Sequence, residues 1–318
     1  MKHLFIVNPA ARQGNRVTFV TSLIQQAFAY RSEPYEVYVT QAPMDACRKI
    51  QKDAATESDL RVYACGGDGT INECASACAG LENVCMTCFP CGTGNDFVKL
   101  FGDEKDRFLN MNALIDGEIS PLDIIRINDR YSLNIACIGV DGRVGTGVHE
   151  FDNVPIIGRG KGAYMLSAVV NFCRQITDDL TITVNGVNGQ TFSGPVNCLC
   201  VCNGTWYGGS FNPVPEARAN DGILDVLLIR GLSRLQFPRL FLQYGRGEYA
   251  RFSKYITHLQ TDRLVIDARQ EFLINLDGEA MTTTHAEMQL LPGGLRFLHP
   301  KGMKYFQTES SRSTVEIG

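Results

Sequence analysis

The spacing of the apolar residues changes near residue 120, and this change restricts the folds open to the chain. Before it, short apolar runs such as "HLFIV" and "LRVYAC" alternate with segments whose apolar residues recur at helical spacing. Such alternation predicts β-α-β units around a mainly parallel sheet. After it, strand-like runs separated by turn residues dominate, which is typical of a β-sandwich. Two stretches there, 161–174 and 234–245, have a helical pattern instead.

The pattern therefore predicts an α/β domain, residues 1–122, followed by a β-sandwich domain, residues 123–297. In the second domain the runs "YSLNIACIGV", "DRLVIDA" and "EFLINL" are each expected to form a strand. In the first domain we expect strands at 35–40, 60–65 and 84–90 after the initial one, and helices at 15–30, 45–56 and beyond Thr70.

Composition excludes some classes of protein. The chain has 318 residues, of which 44% are apolar and 20% charged, so it can bury two packed cores. Its net charge of −4 argues against broad nucleic-acid binding driven by charge. No run approaches the roughly 18 apolar residues of a membrane span, and the short run before Asn8 lacks the length of a signal peptide. We expect a cytoplasmic protein without a nucleic-acid partner.

Twelve cysteines is a high count, and we interpret them as reduced thiols that pack as small apolar side chains. In "CLCVC" (198–202) the cysteines alternate with apolar residues, so a buried strand would place them on one face. Cys85, Cys88 and Cys91 have a spacing that also suggests a metal site. On a strand, however, they point to alternating faces, which argues against a shared metal ion.

Two glycine-rich loops directly follow predicted strands: "GGDGT" (66–70) and "CGTGND" (91–96). Glycines let the backbone approach a ligand closely, and the N-terminus of a following helix suits a phosphate group. Both loops are expected at the carboxyl ends of strands, where open α/β sheets bind ligands. Either loop taken alone is equally typical of an ordinary turn between a strand and a helix. Neither matches the P-loop or the dinucleotide fingerprint.

The two loops belong to a set of six segments that occur in this order along the chain: "NPAARQG", "GGDGTINE", "PCGTGNDF", "LNIACIGVDGRV", "GGSFNPVPEARANDGILDV" and "LDGE". Together they resemble the signature blocks of the diacylglycerol kinase catalytic-domain family in its bacterial soluble form, to which sphingosine and ceramide kinases are related. The resemblance spans roughly residues 3–300. It implies an α/β nucleotide-binding domain similar to NAD kinases and phosphofructokinases, then a β-sandwich, with the active site in the cleft between them. It also implies that residues 298–318 pack back on the first domain.

The resemblance implies transfer of the γ-phosphoryl group of ATP to a lipid hydroxyl, most simply from diacylglycerol to phosphatidic acid, with Mg²⁺ neutralising phosphate charge. Asp277 of "LDGE" would accept the hydroxyl proton, with Gly278 and Glu279 beside it and Asp68 as a second catalytic carboxylate. Without the resemblance, Asp-Gly after a strand is more typical of a hairpin turn.

The resemblance also assigns residues to ATP and metal. The family usually has a glycine three or four residues after its "NP", where this chain has Ala11 and Arg12, so that loop is expected to differ in shape. The implied ATP-binding residues are Asn8, Pro9, Ala10, Ala11, Arg12, Thr40, Gly66, Gly67, Asp68, Gly69, Thr70, Ile71, Asn72, Thr93, Gly94 and Asn95.

Three carboxylates, Asp68, Asp96 and Asp123, would form a carboxylate–water network that reaches the catalytic Mg²⁺. Asp96 is equally typical of a helix N-cap, and Asp123 of a turn at a strand end. A structural Mg²⁺ would be held by the side chain of Asp221 and the carbonyl groups of Arg218 and Ile223. The alternative there is a metal-free turn.

The lipid acceptor implies transient contact with the inner face of a membrane, and the basic, apolar segment 154–172 is a candidate for that contact or for a helix packed on the sandwich. A homodimer is compatible with the sequence. Two other functions stay open: a kinase for a soluble substrate such as NAD, and a nucleotide- or lipid-binding protein without catalysis. "GTGNDF" and "LDGE" argue against the first, and the four aspartates 68, 96, 123 and 277 against the second.

Overall fold

The computed structural model describes residues 1–9, 16–144, 176–185 and 189–307. By its internal contacts the chain divides into two compact units. Unit 1 contains Met1–Ile124 and the segment that starts at Pro292, and unit 2 contains Ile125–Leu291. The chain thus passes into unit 2 and returns to unit 1 near its end.

Unit 1 is an α/β unit with a parallel sheet, in which β1 (Lys2–Val7) lies between β2 (Tyr35–Val39) and β3 (Leu60–Gly66), and β4 (Val84–Pro90) lies beside β3. The central strands are buried on both faces, as parallel strands covered by helices require. Its elements are β1 (Lys2–Val7), α1 (Arg16–Phe28), β2 (Tyr35–Val39), α2 (Asp45–Ala54), β3 (Leu60–Gly66), α3 (Asp68–Cys78), β4 (Val84–Pro90), a 3₁₀ segment (Phe97–Leu109), α4 (Met111–Ile115) and, after the return, α6 (Lys304–Gln307).

Unit 2 is an antiparallel β unit. The strands are β5 (Glu118–Ile127), β6 (Arg130–Ser132), β7 (Ile135–Gly139), β8 (Asp178–Asn185), β9 (Gln190–Val196), β10 (Cys198–Cys202), β11 (Leu224–Ile229), β12 (Ile256–Thr261), β13 (Arg263–Leu276) and β14 (Glu279–His299); helix α5 is Phe237–Tyr244 and a 3₁₀ turn covers Tyr249–Phe252. The strands follow the order β12-β11-β10-β7-β13, and β13 also pairs with β8 and β14. β5 and β14 begin or end in unit 1.

Alternate residues of β10 belong to two different cores. Leu199 and Val201 pack in the sandwich core. Cys198, Cys200 and Cys202 point to the other face, which α5 covers with Phe237, Leu240 and Phe241. The prediction that these cysteines share one buried face is confirmed. Cys85 and Cys88 lie on β4, and they are buried together with Cys91, which follows it directly.

Several predicted boundaries were wrong. The run "YSLNIACIGV" forms two strands, β6 and β7, with a break at residues 133–134. "DRLVIDA" and "EFLINL" form one strand, β13, whose pairing with β14 shifts between Asp267 and Phe272. Asp123 lies within β5 and not at a strand end. The helix predicted at 234–245 begins only at Phe237, after a turn.

The stretch 161–174, the whole segment 154–172 and all of residues 308–318 lie outside the described residues. Among the helices that are described, none has the length and apolar character to cross a membrane.

Candidate active site

The two glycine-rich loops of unit 1 lie against each other, because β3 and β4 are adjacent parallel strands with Gly66 opposite Pro90. The backbone N–H of Cys91 donates to the carbonyl of Gly66 at 2.9 Å. A Cβ atom on Gly92 would lie 2.4 Å from the Cα of Gly67, so the contact requires glycine. Asn95 closes the second loop by hydrogen bonds to the backbone of Gly92 in both directions, at 3.0 and 3.1 Å.

The first loop also contacts the ends of β1 and β2. Asn8 Nδ2 donates to Thr70 Oγ1 at 2.9 Å, and the N–H of Thr40 donates to the carbonyl of Val7 at 3.0 Å. A Cβ atom on Gly66 would lie 2.3 Å from Thr70 Oγ1, which explains a glycine there. The structure therefore brings Asn8, Thr40 and the 66–70 loop to one edge of the sheet, next to the N-terminus of α3.

Asp68 and Asp96 converge on Gly94. A Cβ atom there would lie 2.9 Å from Asp68 Oδ2 and 3.7 Å from Asp96 Oδ2. The other oxygen of Asp68 accepts the N–H of Phe97 at 3.1 Å, so Asp68 caps the 3₁₀ segment. Asp96 stands at the N-cap position but makes no capping hydrogen bond there, and its carboxylate pairs with Lys99 instead.

These two carboxylates fit a hard divalent cation. Carboxylate oxygens and water are the ligands that Mg²⁺ prefers. The oxygens of Asp68 and Asp96 lie beside the position that a side chain at residue 94 would occupy, and glycine leaves this position empty. Asp123 is 97% buried on β5, and its Oδ1 accepts the N–H of Gly293 at 2.7 Å. This contact ties Asp123 to the strand that returns from unit 2.

In unit 2, Asp277 and Gly278 form the two-residue turn between β13 and β14, with φ of 51° and 102°. The carboxylate of Asp277 points back to the break between β6 and β7. It accepts the Ser132 hydroxyl at 3.0 Å and the backbone N–H of Leu133 at 2.6 Å. It also accepts the N–H groups of the next two residues, Asn134 at 3.2 Å and Ile135 at 2.8 Å.

We call these donors, the Ser132 hydroxyl and the backbone N–H groups of residues 133–135, the Asp277 cradle. The surroundings of Asp277 affect the ionisation of its carboxyl group in two opposite ways. Burial raises the pKa of the carboxyl group above its ordinary value, and the four donors of residues 132–135 lower it, with burial the larger effect. A carboxylate with a raised pKa, held rigidly by backbone donors, is suited to accept a proton from a hydroxyl group.

The break that forms the cradle has its own support. The Asn134 carbonyl accepts the N–H groups of Asn203 and Gly204 at 3.0 and 2.8 Å, and Asn203 Nδ2 donates to the Leu133 carbonyl at 2.7 Å. A Cβ atom on Gly204 would lie 1.8 Å from Asn134 Oδ1. Ser132, Asn134, Asn203 and Gly204 were not predicted from the sequence. The polar residues inside the apolar run "YSLNIACIG" were the available signal.

Comparison with known proteins agrees with both units. The diacylglycerol kinase catalytic domain matches residues 2–127, and the YegS C-terminal NAD kinase beta sandwich-like domain matches residues 134–299. A relative named "Probable lipid kinase YegS-like" from Cronobacter sakazakii is 30% identical over 272 residues, 84% of this chain and 86% of its own. The chain belongs to the diacylglycerol kinase family of lipid kinases.

Two other comparisons agree with this family. The diacylglycerol kinase of Bacillus subtilis is 27% identical over 278 residues, 86% of this chain and 88% of its own. The crystal structure of a diacylglycerol kinase from Bacillus anthracis superposes with a TM-score of 0.68 at 23% identity, covering 95% of this chain and 98% of its own, and so supports the fold. Membership in this kinase family implies the use of ATP.

The remaining predicted residues of this lipid kinase are placed as follows. Asp221 Oδ1 accepts the N–H of Ile223 at 3.1 Å, across Gly222 at φ 74°, and Arg218 lies in the same loop, so the turn geometry is present. Ile71 and Asn72 are buried in α3, whereas Pro9, Gly69, Thr93 and Glu279 are exposed. Ala10, Ala11 and Arg12 lie outside the described residues.

Proposed function

We propose that this lipid kinase transfers the γ-phosphoryl group of ATP to diacylglycerol and forms phosphatidic acid. Asp277 takes the proton of the acceptor hydroxyl, and the hydroxyl oxygen then attacks the phosphorus atom as ADP leaves. The observation that carries this proposal is the cradle around Asp277, because it holds a carboxylate of raised pKa in a fixed direction. The diacylglycerol kinase of Bacillus subtilis supports the choice of acceptor.

Unit 1 supplies the nucleotide site in this proposal. The backbone N–H groups at the start of α3 and the hydroxyl of Thr70 would face the phosphates of ATP, as at other helix N-termini that bind anions. Asn8 would hold Thr70 in place through its hydrogen bond of 2.9 Å. In-line phosphoryl transfer requires the acceptor hydroxyl to approach the γ-phosphate of ATP directly.

Asp68 and Asp96 would hold the divalent cation, with Mg²⁺ as the ion that kinases of this chemistry use. When bound, Mg²⁺ neutralises phosphate charge during the transfer. Asp68 orients the site even without the ion, because it links the start of α3 to the N–H of Phe97. We extend the proposal to Asp123 as a residue of the carboxylate–water network, and to a second, structural Mg²⁺ at Asp221 with the carbonyl groups of Arg218 and Ile223.

A diacylglycerol acceptor resides in a bilayer, so we propose reversible attachment of this kinase to a membrane surface. Co-sedimentation with vesicles that contain diacylglycerol and anionic phospholipid tests this part alone. We expect sedimentation that weakens as salt is added, because salt screens the attraction between basic side chains and anionic lipid. Equal activity on dispersed short-chain diacylglycerol and on vesicles, without sedimentation, would contradict it.

The experiment that tests the reaction is phosphate transfer from γ-labelled ATP and Mg²⁺ to a panel of acceptors in mixed micelles. The panel contains diacylglycerol, monoacylglycerol, sphingosine, ceramide and, as a soluble acceptor, NAD. A labelled product that migrates as phosphatidic acid supports the proposal. Label on another lipid would support lipid kinase activity but show that the acceptor is that lipid and not diacylglycerol. Label on NAD alone, or on no acceptor, would contradict it.

A further inference from the structure

Three thiols and one carboxylate meet on the helix-covered face of β7 and β10. Cys137 lies directly opposite Cys200 in the antiparallel ladder, and their Sγ atoms are 3.7 Å apart. The Sγ atom of Cys202 is 3.4 Å from that of Cys200. Asp141 follows two residues after β7, and its carboxylate oxygen and the Sγ atoms of Cys137 and Cys200 all lie within 4.8 Å of one another.

The group is enclosed in the second core of unit 2. Cys137, Cys200 and Cys202 are at most 3% exposed, and Asp141 is 1% exposed. On β10 alone, the alternation of Cys198, Cys200 and Cys202 with apolar residues is explained by a buried strand. The structure adds a cysteine from another strand and a carboxylate, which packing of apolar residues does not require.

We propose that Cys137, Cys200 and Asp141 form a structural site for a divalent cation of borderline softness, with zinc as the best candidate. Thiolates together with a carboxylate suit zinc, whereas Mg²⁺ and Ca²⁺ select oxygen ligands. Tetrahedral ligands about 2.3 Å from zinc place neighbouring sulfur atoms about 3.8 Å apart. The 3.7 Å between Cys137 and Cys200 matches this spacing.

The surroundings resemble the outer shell of a metal site. The hydroxyl of Tyr207 donates to Asp141 Oδ2, and that of Tyr244 donates to the same oxygen at 3.3 Å. Ligating carboxylates usually have such outer partners, which fix their direction.

An ion at this place would join β7, β10 and the helical segment at 140–144. Ile135 stands at the start of β7, two residues before Cys137, and donates its N–H to Asp277. The ion would therefore stabilise the strand that carries one side of the Asp277 cradle. Such an ion would be bound whichever lipid is the acceptor, and metal binding detects it without an activity measurement.

The experiment uses the full chain, purified with a reductant and without chelators, then loaded with Zn²⁺ or Co²⁺ and dialysed. Bound metal is measured by mass spectrometry of the element, and cobalt–thiolate bonds by their charge-transfer absorption. We expect about one equivalent of zinc and a thiolate band in the wild type. Cys200→Ala and Cys137→Ala should lose both. Cys198→Ala is the matched control, because this buried cysteine shares the strand and face of Cys200 but is not one of the proposed ligands.

Two variants protect the test against misfolding of the cysteine variants. Asp141→Asn keeps the size of the side chain but removes its charge, and Tyr207→Phe removes one outer donor. Both should weaken zinc binding by about tenfold or more and reduce the rise in melting temperature that zinc causes in the wild type. Two results would overturn the site: no zinc and no thiolate band in reduced wild type, or equal zinc in wild type, Cys200→Ala and Asp141→Asn. The thiols would then serve as packing alone.

Discussion

Asp277 shows how one residue satisfies two requirements that the sequence presents as alternatives. Its φ of 51° and the φ of 102° at Gly278 are those of a tight hairpin turn, and aspartate tolerates such values better than most residues. The turn also aims the side chain at residues 132–135, whose donors surround the carboxylate. The hairpin interpretation and the proton-acceptor interpretation therefore describe the same geometry.

The Ser132 hydroxyl gives a prediction about pH. Its hydrogen bond stabilises the ionised form of Asp277, so Ser132→Ala should raise the pKa of that carboxyl group further. Because the proton acceptor must be ionised, activity would be lost at a higher pH than in the wild type. The measurement is kcat/KM for lipid phosphorylation against pH, with the exposed Ser193→Ala as control. An acid limb that does not move would show that Ser132 does not stabilise the Asp277 carboxylate.

His3 gives a second prediction, for stability. Burial lowers the pKa of its imidazole from 6.5 to about 4, and its Nδ1 is 2.8 Å from the Tyr63 hydroxyl. The folded state thus holds the neutral ring, while the unfolded chain binds a proton below about pH 6.5. Stability should be complete above pH 6.5 and fall as the pH drops toward 4. His3→Asn should flatten this part of a melting-temperature profile, whereas the exposed His285→Asn should not. A profile that His3→Asn leaves unchanged would contradict the assignment.

Among the elements, β3 and β4 position the unit 1 site through their shared parallel register. Because Gly66 stands opposite Pro90, the loops that follow both strands emerge side by side. Their contact at Gly67 and Gly92 leaves no space for a side chain. The sequence predicted both loops and their common edge, since strand ends and glycines are local signals. The distance between Gly67 and Gly92 depends on register, which local signals do not specify.

Gly92→Ala tests this contact between elements. The added Cβ would meet the Gly67 backbone at 2.4 Å, so the loops must separate. Such overpacking typically costs about 1–3 kcal/mol. If this cost is subtracted from the free energy of ATP binding, the affinity for ATP falls roughly 5- to 150-fold. Isothermal titration with a non-hydrolysable ATP analogue measures it. Gly189→Ala is the control, because its Cβ would have its nearest contact at an ordinary 3.5 Å. Unchanged affinity in Gly92→Ala would argue that this loop does not hold the nucleotide.

The break between β6 and β7 is an element that the sequence did not predict. The run "YSLNIACIGV" has the apolar character of one continuous strand, and strand pattern alone gives no reason to interrupt it. The reason lies about 140 residues away, because the N–H groups of residues 133–135 donate to the carboxylate of Asp277. A local pattern cannot report a hydrogen-bond partner so distant in the chain.

At the scale of the whole molecule, the chain completes unit 1 only after it has built unit 2. Phe297 near the end of β14 is fully buried and contacts the rings of Phe97, Phe101 and Phe108 at centroid distances of 5.6–5.9 Å. Its backbone pairs with Met86 of β4. Periodicity predicted the change of fold class along the chain, but the return could be inferred only from the family resemblance, because no local signal assigns a C-terminal strand to an N-terminal sheet.

Phe297→Ala should therefore destabilise unit 1 although the residue lies far along the chain. Loss of a fully buried aromatic ring typically costs about 3–5 kcal/mol. Urea unfolding, followed by a spectroscopic signal from the aromatic residues of unit 1, measures the loss in the free energy of unfolding. Phe19→Ala, on the exposed side of α1 with 53% of its surface accessible, should change stability by only about 0.5 kcal/mol. Equal effects of both substitutions would contradict a structural role for the returning segment.

The most direct test of the whole account is the rate of phosphate transfer from ATP to diacylglycerol by Asp277→Asn and Asp267→Asn. Asp267 lies on the same strand, and its exposed carboxylate pairs with His285. If Asp277 accepts the proton, Asp277→Asn should lose about 10²–10⁴-fold in kcat with its melting temperature and ATP affinity retained, and Asp267→Asn should match the wild type. A folded, ATP-binding Asp277→Asn enzyme with wild-type kcat would contradict the account.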